Sequence, residues 1–133
     1  MEKIQFDSGI RNYRINGGGI LRFNPGDPNV YARFMEAVEE DLTQTPESAQ
    51  AEEILKRMSQ ADEKMKEILN WVFGADNDFK KLLNGVNLLA VADNGERVIT
   101  NLFAALEPVL VEGAKRCAGE LAAKAKAERE ALA

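Results

Sequence analysis

The stretch Tyr13–Phe34, YRINGGGILRFNPGDPNVYARF, limits the possible folds more than any other part of the chain. Tyr13 and Ile15 lead into Asn16-Gly17, and Ile20, Leu21 and Phe23 lead out. Asn-Gly tolerates positive φ at both central positions of a tight turn. Between two β-prone runs it predicts a hairpin, with strands around Tyr13–Asn16 and Ile20–Phe23. Gly18 and Gly19 allow a longer loop or a bulge. Pro25-Gly26 then turns the chain, Asp27 stands at an N-cap position, and Pro28 takes the first helical position, where a missing N–H costs nothing. Three glycines in a row also suggest a loop that cradles phosphate. Such a loop lies between a strand and a helix and carries a Gly-Lys-Ser/Thr or G-x-G-x-x-G pattern. Here a strand follows the glycines and neither pattern is present. Gly17, Gly18 and Gly19 are therefore read as a hairpin turn, and Asp27 with Pro28 as a helix start.

Upstream, Ile4 and Phe6 alternate with polar residues and predict a short strand, followed by a turn at Asp7-Ser8-Gly9. Downstream the period becomes helical. Tyr31, Phe34, Val38 and Leu42 predict one buried helix face, ending near Thr43. Thr45 as cap and Pro46 at the first position predict the start of a second, longer helix. Its stripe, Ile54, Met58, Ala61, Met65, Ile68 and Val72, alternates steps of four and three, and Leu55, Leu69 and Phe73 widen it. Glu53 with Arg57, and Glu63 with Lys66, are expected on the outer face. Gly74 ends this helix. Asp76-Asn77-Asp78 caps a short one, Phe79 to Leu83, closed by Asn84-Gly85. Val86 to Ala92 is apolar and fits either a strand or a helical turn. After a turn at Asp93-Asn94-Gly95, a last helix begins about Glu96. Its stripe is Ile99, Phe103, Leu106, Leu110 and Cys117, with Gly113 in the seam and a kink expected at Pro108. Beyond Ala118 the pattern thins to Ala, Lys, Glu and Arg, a helix-prone tail expected to protrude, fray or dock elsewhere. The fold class that follows is mainly α (α+β). An N-terminal β-hairpin region, 4–24, precedes a helical core, 27–117, of about four helices with a long kinked C-terminal helix, and a tail, 118–133, in one domain.

Composition narrows the chemistry. The 133 residues contain no histidine and one cysteine, Cys117. Histidine-based triads and histidine-ligated metals are excluded, and so is an internal disulfide. A net charge of −5 gives no footprint for a phosphate backbone, which argues against nucleic acid. No signal-peptide pattern follows Met1-Glu2-Lys3, and the apolar run Leu88–Ala92 is too short to span a membrane. An intracellular protein is expected, with no enzymatic activity, cofactor or metal.

The remaining candidate sites favour structural readings. Asp76-Asn77-Asp78 resembles the start of a calcium loop but lacks its central glycine and closing glutamate, so a helix cap is preferred. Glu39, Glu40 and Asp41 are consecutive on an exposed helix side, where their carboxylates diverge. Cys117, on an apolar stripe, reads as a small buried hydrophobe rather than a reactive thiol. Met58 and Met65 read as core, although methionines also suit surfaces that adapt to apolar partners.

Two long segments carry a resemblance. YRINGGGILRFNPGDPNVYARFMEAVEE and FGADNDFKKLLNGVNLLAVADNGERVITNLFAALEPVL are similar to a family of tail assembly chaperones of siphophages and prophages of Gram-positive bacteria. The similarity covers most of the chain up to about Cys117, and its motifs are structural rather than chemical. It implies a protein of the host bacterial cytoplasm that binds the long helical tape-measure protein and keeps it soluble during tail assembly. It offers no catalytic residues to carry over. The contacts expected for such a client are Leu88, Leu89, Val91, Phe103, Leu106 and Leu110, with self-association through the last helix. The rival reading is a structural tail component, a tube or connector subunit incorporated in the virion. The helical pattern disfavours it.

Overall fold

The computed structural model describes residues 1–40 and 50–132. It has two strands, β1 (Arg11–Arg14) and β2 (Ile20–Phe23), and four helices, α1 (Pro28–Val38), α2 (Ala51–Phe73), α3 (Phe79–Leu82) and α4 (Val98–Leu132). The predicted class, a hairpin followed by helices of which the last is long, is what the chain adopts.

The strands pair antiparallel in the register Arg14↔Ile20 to Arg11↔Phe23. Asn16 and Gly17 turn the chain at φ 48° and 73°. The Ile15 carbonyl accepts from the Gly18 N–H, while the Ile15 N–H donates to the Gly19 carbonyl. Ile15 thus faces two residues, which is a bulge. Gly19 is also a close approach, since a Cβ there would lie 2.7 Å from Leu82 Cδ2. The triple glycine therefore closes the hairpin and lets it seat on α3. No strand forms at Ile4–Phe6, because residues 1–8 lie exposed with no neighbouring strand among the described residues.

Asp27 caps α1, its carboxylate accepting from the Asn29 N–H at 2.9 Å, and Pro28 opens the helix. The buried face is Val30, Phe34 and Ala37, one position round from the expected stripe. Ala37 is buried and Val38 is left exposed. α2 begins at Ala51, since Gln50 is extended, with ψ 161°. The expected cap at Thr45 and start at Pro46 lie outside the described residues, as do Asp41, Leu42 and Thr43. Asp78 caps α3, donating nothing and accepting from the Lys80 N–H. α4 starts at Val98, not Glu96, because Arg97 bridges to Val91 and the Glu96 carbonyl accepts from the Ala92 N–H. Segment 86–92 is a single turn, closed by the Ala90 N–H on the Asn87 carbonyl, followed by the bridge residue Val91. Its carbonyls at Ala90 and Leu88 accept from the Val98 and Ile99 N–H groups, satisfying the open end of α4. α4 continues as one helix through Pro108 and through the alanine-rich tail, whose residues 118–132 are all exposed.

One core joins these elements. Its aromatic spine runs from Tyr13 to Phe23 (5.1 Å), Phe73 (4.8 Å) and Phe79 (5.6 Å). Phe34 meets both Phe73 and Phe103, the latter edge-on at 5.5 Å. Leu21, Leu69, Leu88, Leu89 and Leu110 fill the space between, all at most 2% exposed. Polar groups fix the corners. Buried Asn77 holds the outer side of β2 like a strand partner. It accepts from the Arg22 N–H at 2.9 Å and donates to the Arg22 and Phe73 carbonyls, both at 2.8 Å. Asn77→Ala strands these groups, so unfolding in urea should show a loss of about 2 kcal/mol. Arg33 ties α1 to α2 through the Val72 carbonyl (3.0 Å), with its guanidinium above Trp71.

Candidate apolar groove

The hairpin packs on the bundle through β2, whose Leu21 and Phe23 are buried. β1 is left as an edge. Among the described residues it pairs only with β2, so the main-chain groups on its other side have no strand partner there. Between that strand and the first half of α4 lies a groove of about 470 Å³. Tyr13 and Ile15 form one wall, and Leu102, Ala105, Leu106 and Val109 the other. Val86, Ala92 and Val98 close one end, and Arg14, Asn16 and Asn101 supply the polar rim. The helical wall follows from spacing, since 102, 105, 106 and 109 recur at three and four residues along α4. Asn101 is held at the rim by paired side-chain hydrogen bonds with Asn94 (2.9 and 3.2 Å). The groove offers apolar walls, a cationic lip and an open strand edge. That combination suits side chains of another polypeptide.

The six contacts expected from sequence separate in the structure. Leu88, Leu89 and Leu110 are buried in the core, and none reaches the surface. Leu106 is buried as well but forms part of the groove wall. Phe103 is half-buried against Phe34. Val91, next to the groove-lining Ala92, is the exposed one, at 68%. The reason is local. The pattern NLLAVA holds its leucines inward through backbone hydrogen bonds to Asp62 and to α4, which leaves Val91 outward. The groove residues Leu102, Ala105 and Val109 flank the stripe read from sequence and carry a signal visible only once β1 is placed beside α4.

The other candidates lie apart from the groove. Gly17, Gly18 and Gly19 form the hairpin end, and Asp27 and Pro28 the α1 start. Asp76 is exposed, Asn77 is the buried clamp and Asp78 the cap, so the three point to different tasks. Glu39 and Glu40 are exposed. Cys117 is half-buried where the Pro25-Gly26 turn meets α4, and Met65 is core while Met58 packs at its edge. Among the described residues no three carboxylate or thiol groups gather closely enough to hold a metal ion, and no helix is long and apolar enough to cross a membrane.

Sequence reasoning missed one buried polar unit. Lys66 does not lie on the outer face with Glu63 but is 5% exposed and pairs with buried Asp62, Nζ to Oδ2 3.0 Å. The other Asp62 oxygen accepts from the Leu88 N–H at 2.8 Å. An Asp and a Lys four apart on the apolar side of a helix were the available signal. The outer pair Arg57–Glu53 forms as expected, at 2.8 Å.

In comparison with known proteins, no family model, no curated protein and no solved structure matches the chain.

Proposed function

We propose that this protein is a tail assembly chaperone, which binds apolar faces of the helical tape-measure protein and shields them until tail-tube subunits enclose it. The observation that carries the reading is the groove between β1 and α4, apolar along both walls and open to solvent beside an unpaired strand edge. Apolar residues at i, i+3/i+4 and i+7 on a client helix match a wall built with the same spacing. The resemblance of the Tyr13–Glu40 and Phe73–Leu110 segments supplies the identity of the client. Exposed Val91 and the half-buried Leu102 extend the contact at one end.

Co-expression with the tape-measure protein of the same tail gene cluster tests the reading. The expected result is a soluble complex recovered by affinity capture of either chain. With Ala105→Glu, a charge on the exposed part of the groove wall, recovery should fall at least about tenfold, the loss of roughly 1.4 kcal/mol of binding. A client that is equally insoluble with and without the protein, and absent from the captured fraction, overturns the proposal.

A further inference from the structure

The chain exposes a segment that suits its own groove but leaves the body on the other side of the hairpin. Residues 1–8 lie off the body, with Ile4 89% and Phe6 80% exposed. They alternate with Lys3, Gln5 and Asp7, so as a strand the segment has one apolar face and one polar face. The route out of the body is fixed. The Gly9 N–H donates to the Asp7 carboxylate at 2.9 Å, Gly9 has φ 74°, and the Asn24 side-chain amide donates to the Ser8 carbonyl. Asn24 follows β2, and Ser8 and Ile10 border a second hollow with Ile20, Arg22 and Asn77. The segment therefore leaves on the β2 side of the hairpin, while the groove lies on the β1 side.

We propose that the arm of one copy docks in the β1–α4 groove of a second copy, extending the hairpin by a third strand. Three observations select this occupant. The open edge of β1 supplies main-chain donors and acceptors to an extended segment. Ile4 and Phe6, facing the same side as Tyr13 and Ile15, enter apolar walls. That same register puts Lys3, Gln5 and Asp7 on the side of Asn12 and Arg14. The arm carries Glu2 and Asp7 against one Lys, whereas β1 presents Arg11 and Arg14. Because arm and groove are different surfaces, the contact is heterologous, and an assembly of any length retains one free arm at one end and one free groove at the other unless a ring closes. The inference stands apart from the client reading. If both hold, arm and client compete for one groove.

The test uses the full chain without any client, by sedimentation velocity over a concentration series. Phe6→Asp alters the arm and Ala105→Glu the groove, both at exposed positions, so the fold, followed by circular dichroism, stays intact. The wild type should associate with rising concentration, and each variant alone should remain monomeric. An equal mixture of the two should form a one-to-one dimer and nothing larger, because one intact arm meets one intact groove. A monomeric wild type, a variant that assembles like the wild type, or a mixture that stays monomeric overturns the proposal.

Discussion

Asp62→Ala should cost the fold about 3–5 kcal/mol, measured by urea unfolding, and this is the largest expected loss from a single side chain. Two groups lose their partner at once. The Lys66 ammonium, 5% exposed, would be left without its counter-ion, and the Leu88 N–H would lose its acceptor. The cost comes from leaving these groups buried and unpaired rather than from the intrinsic strength of the pair. The double change Asp62→Leu with Lys66→Met makes that distinction. Replacing a buried pair by apolar groups of similar volume is often neutral. What remains is the unsatisfied Leu88 N–H, so the double variant should lie within about 1–2 kcal/mol of the wild type. A single variant no less stable than the double one would contradict this account of the α2 to 86–92 junction.

Gly113→Val is the second large effect, with an expected loss of about 3 kcal/mol. Gly113 is buried on α4 where the Pro25 turn crosses it. A Cβ at this position would overlap the Pro25 carbonyl, and the obstacle is backbone, which no rotamer change relieves. The turn and α4 must separate, and the half-buried Cys117 beside Gly26 would open with them. Gly119 provides the control. It lies on the same helix with nothing within 4 Å of an added Cβ, so Gly119→Ala should be neutral or stabilising by up to about 1 kcal/mol.

Local chemistry makes the hairpin, its glycine turn, the Asp27-Pro28 start and the Asp78 cap legible in the sequence itself. Each depends on neighbours in the chain: positive φ at Asn16-Gly17, a carboxylate two residues ahead of an N–H, a proline where no donor is needed. The stripe on α4 was legible for the same reason, as Ile99, Leu106, Leu110 and Gly113 keep helical spacing. What failed depended on partners distant in sequence. Lys66 reads as a surface cation until segment 86–92 arrives and the Leu88 N–H, 26 positions from Asp62, takes the other oxygen of the carboxylate that holds the ammonium. Asn77 reads as a turn residue until β2 arrives 55 positions away to be clamped. Ile4 and Phe6 have strand periodicity but no strand beside them among the described residues. Leu88, Leu89 and Leu110 lie in the core rather than at a surface, and an apolar run such as Leu88-Leu89 gives no sign of whether core or partner will cover it. Hydrogen bonds from Asp62 and α4 decide that here.

The central functional claim is that the client lies in the β1–α4 groove. The most direct measurement is site-specific photo-crosslinking during co-expression with the tape-measure protein. The photoreactive residue is placed at Ala105, on the exposed groove wall, and separately at Lys64, exposed on α2 and absent from that wall. The account predicts crosslinks to the client from position 105 and none above background from position 64. A recovered complex with equal crosslinking from both positions, or with crosslinking from position 64 alone, would contradict it.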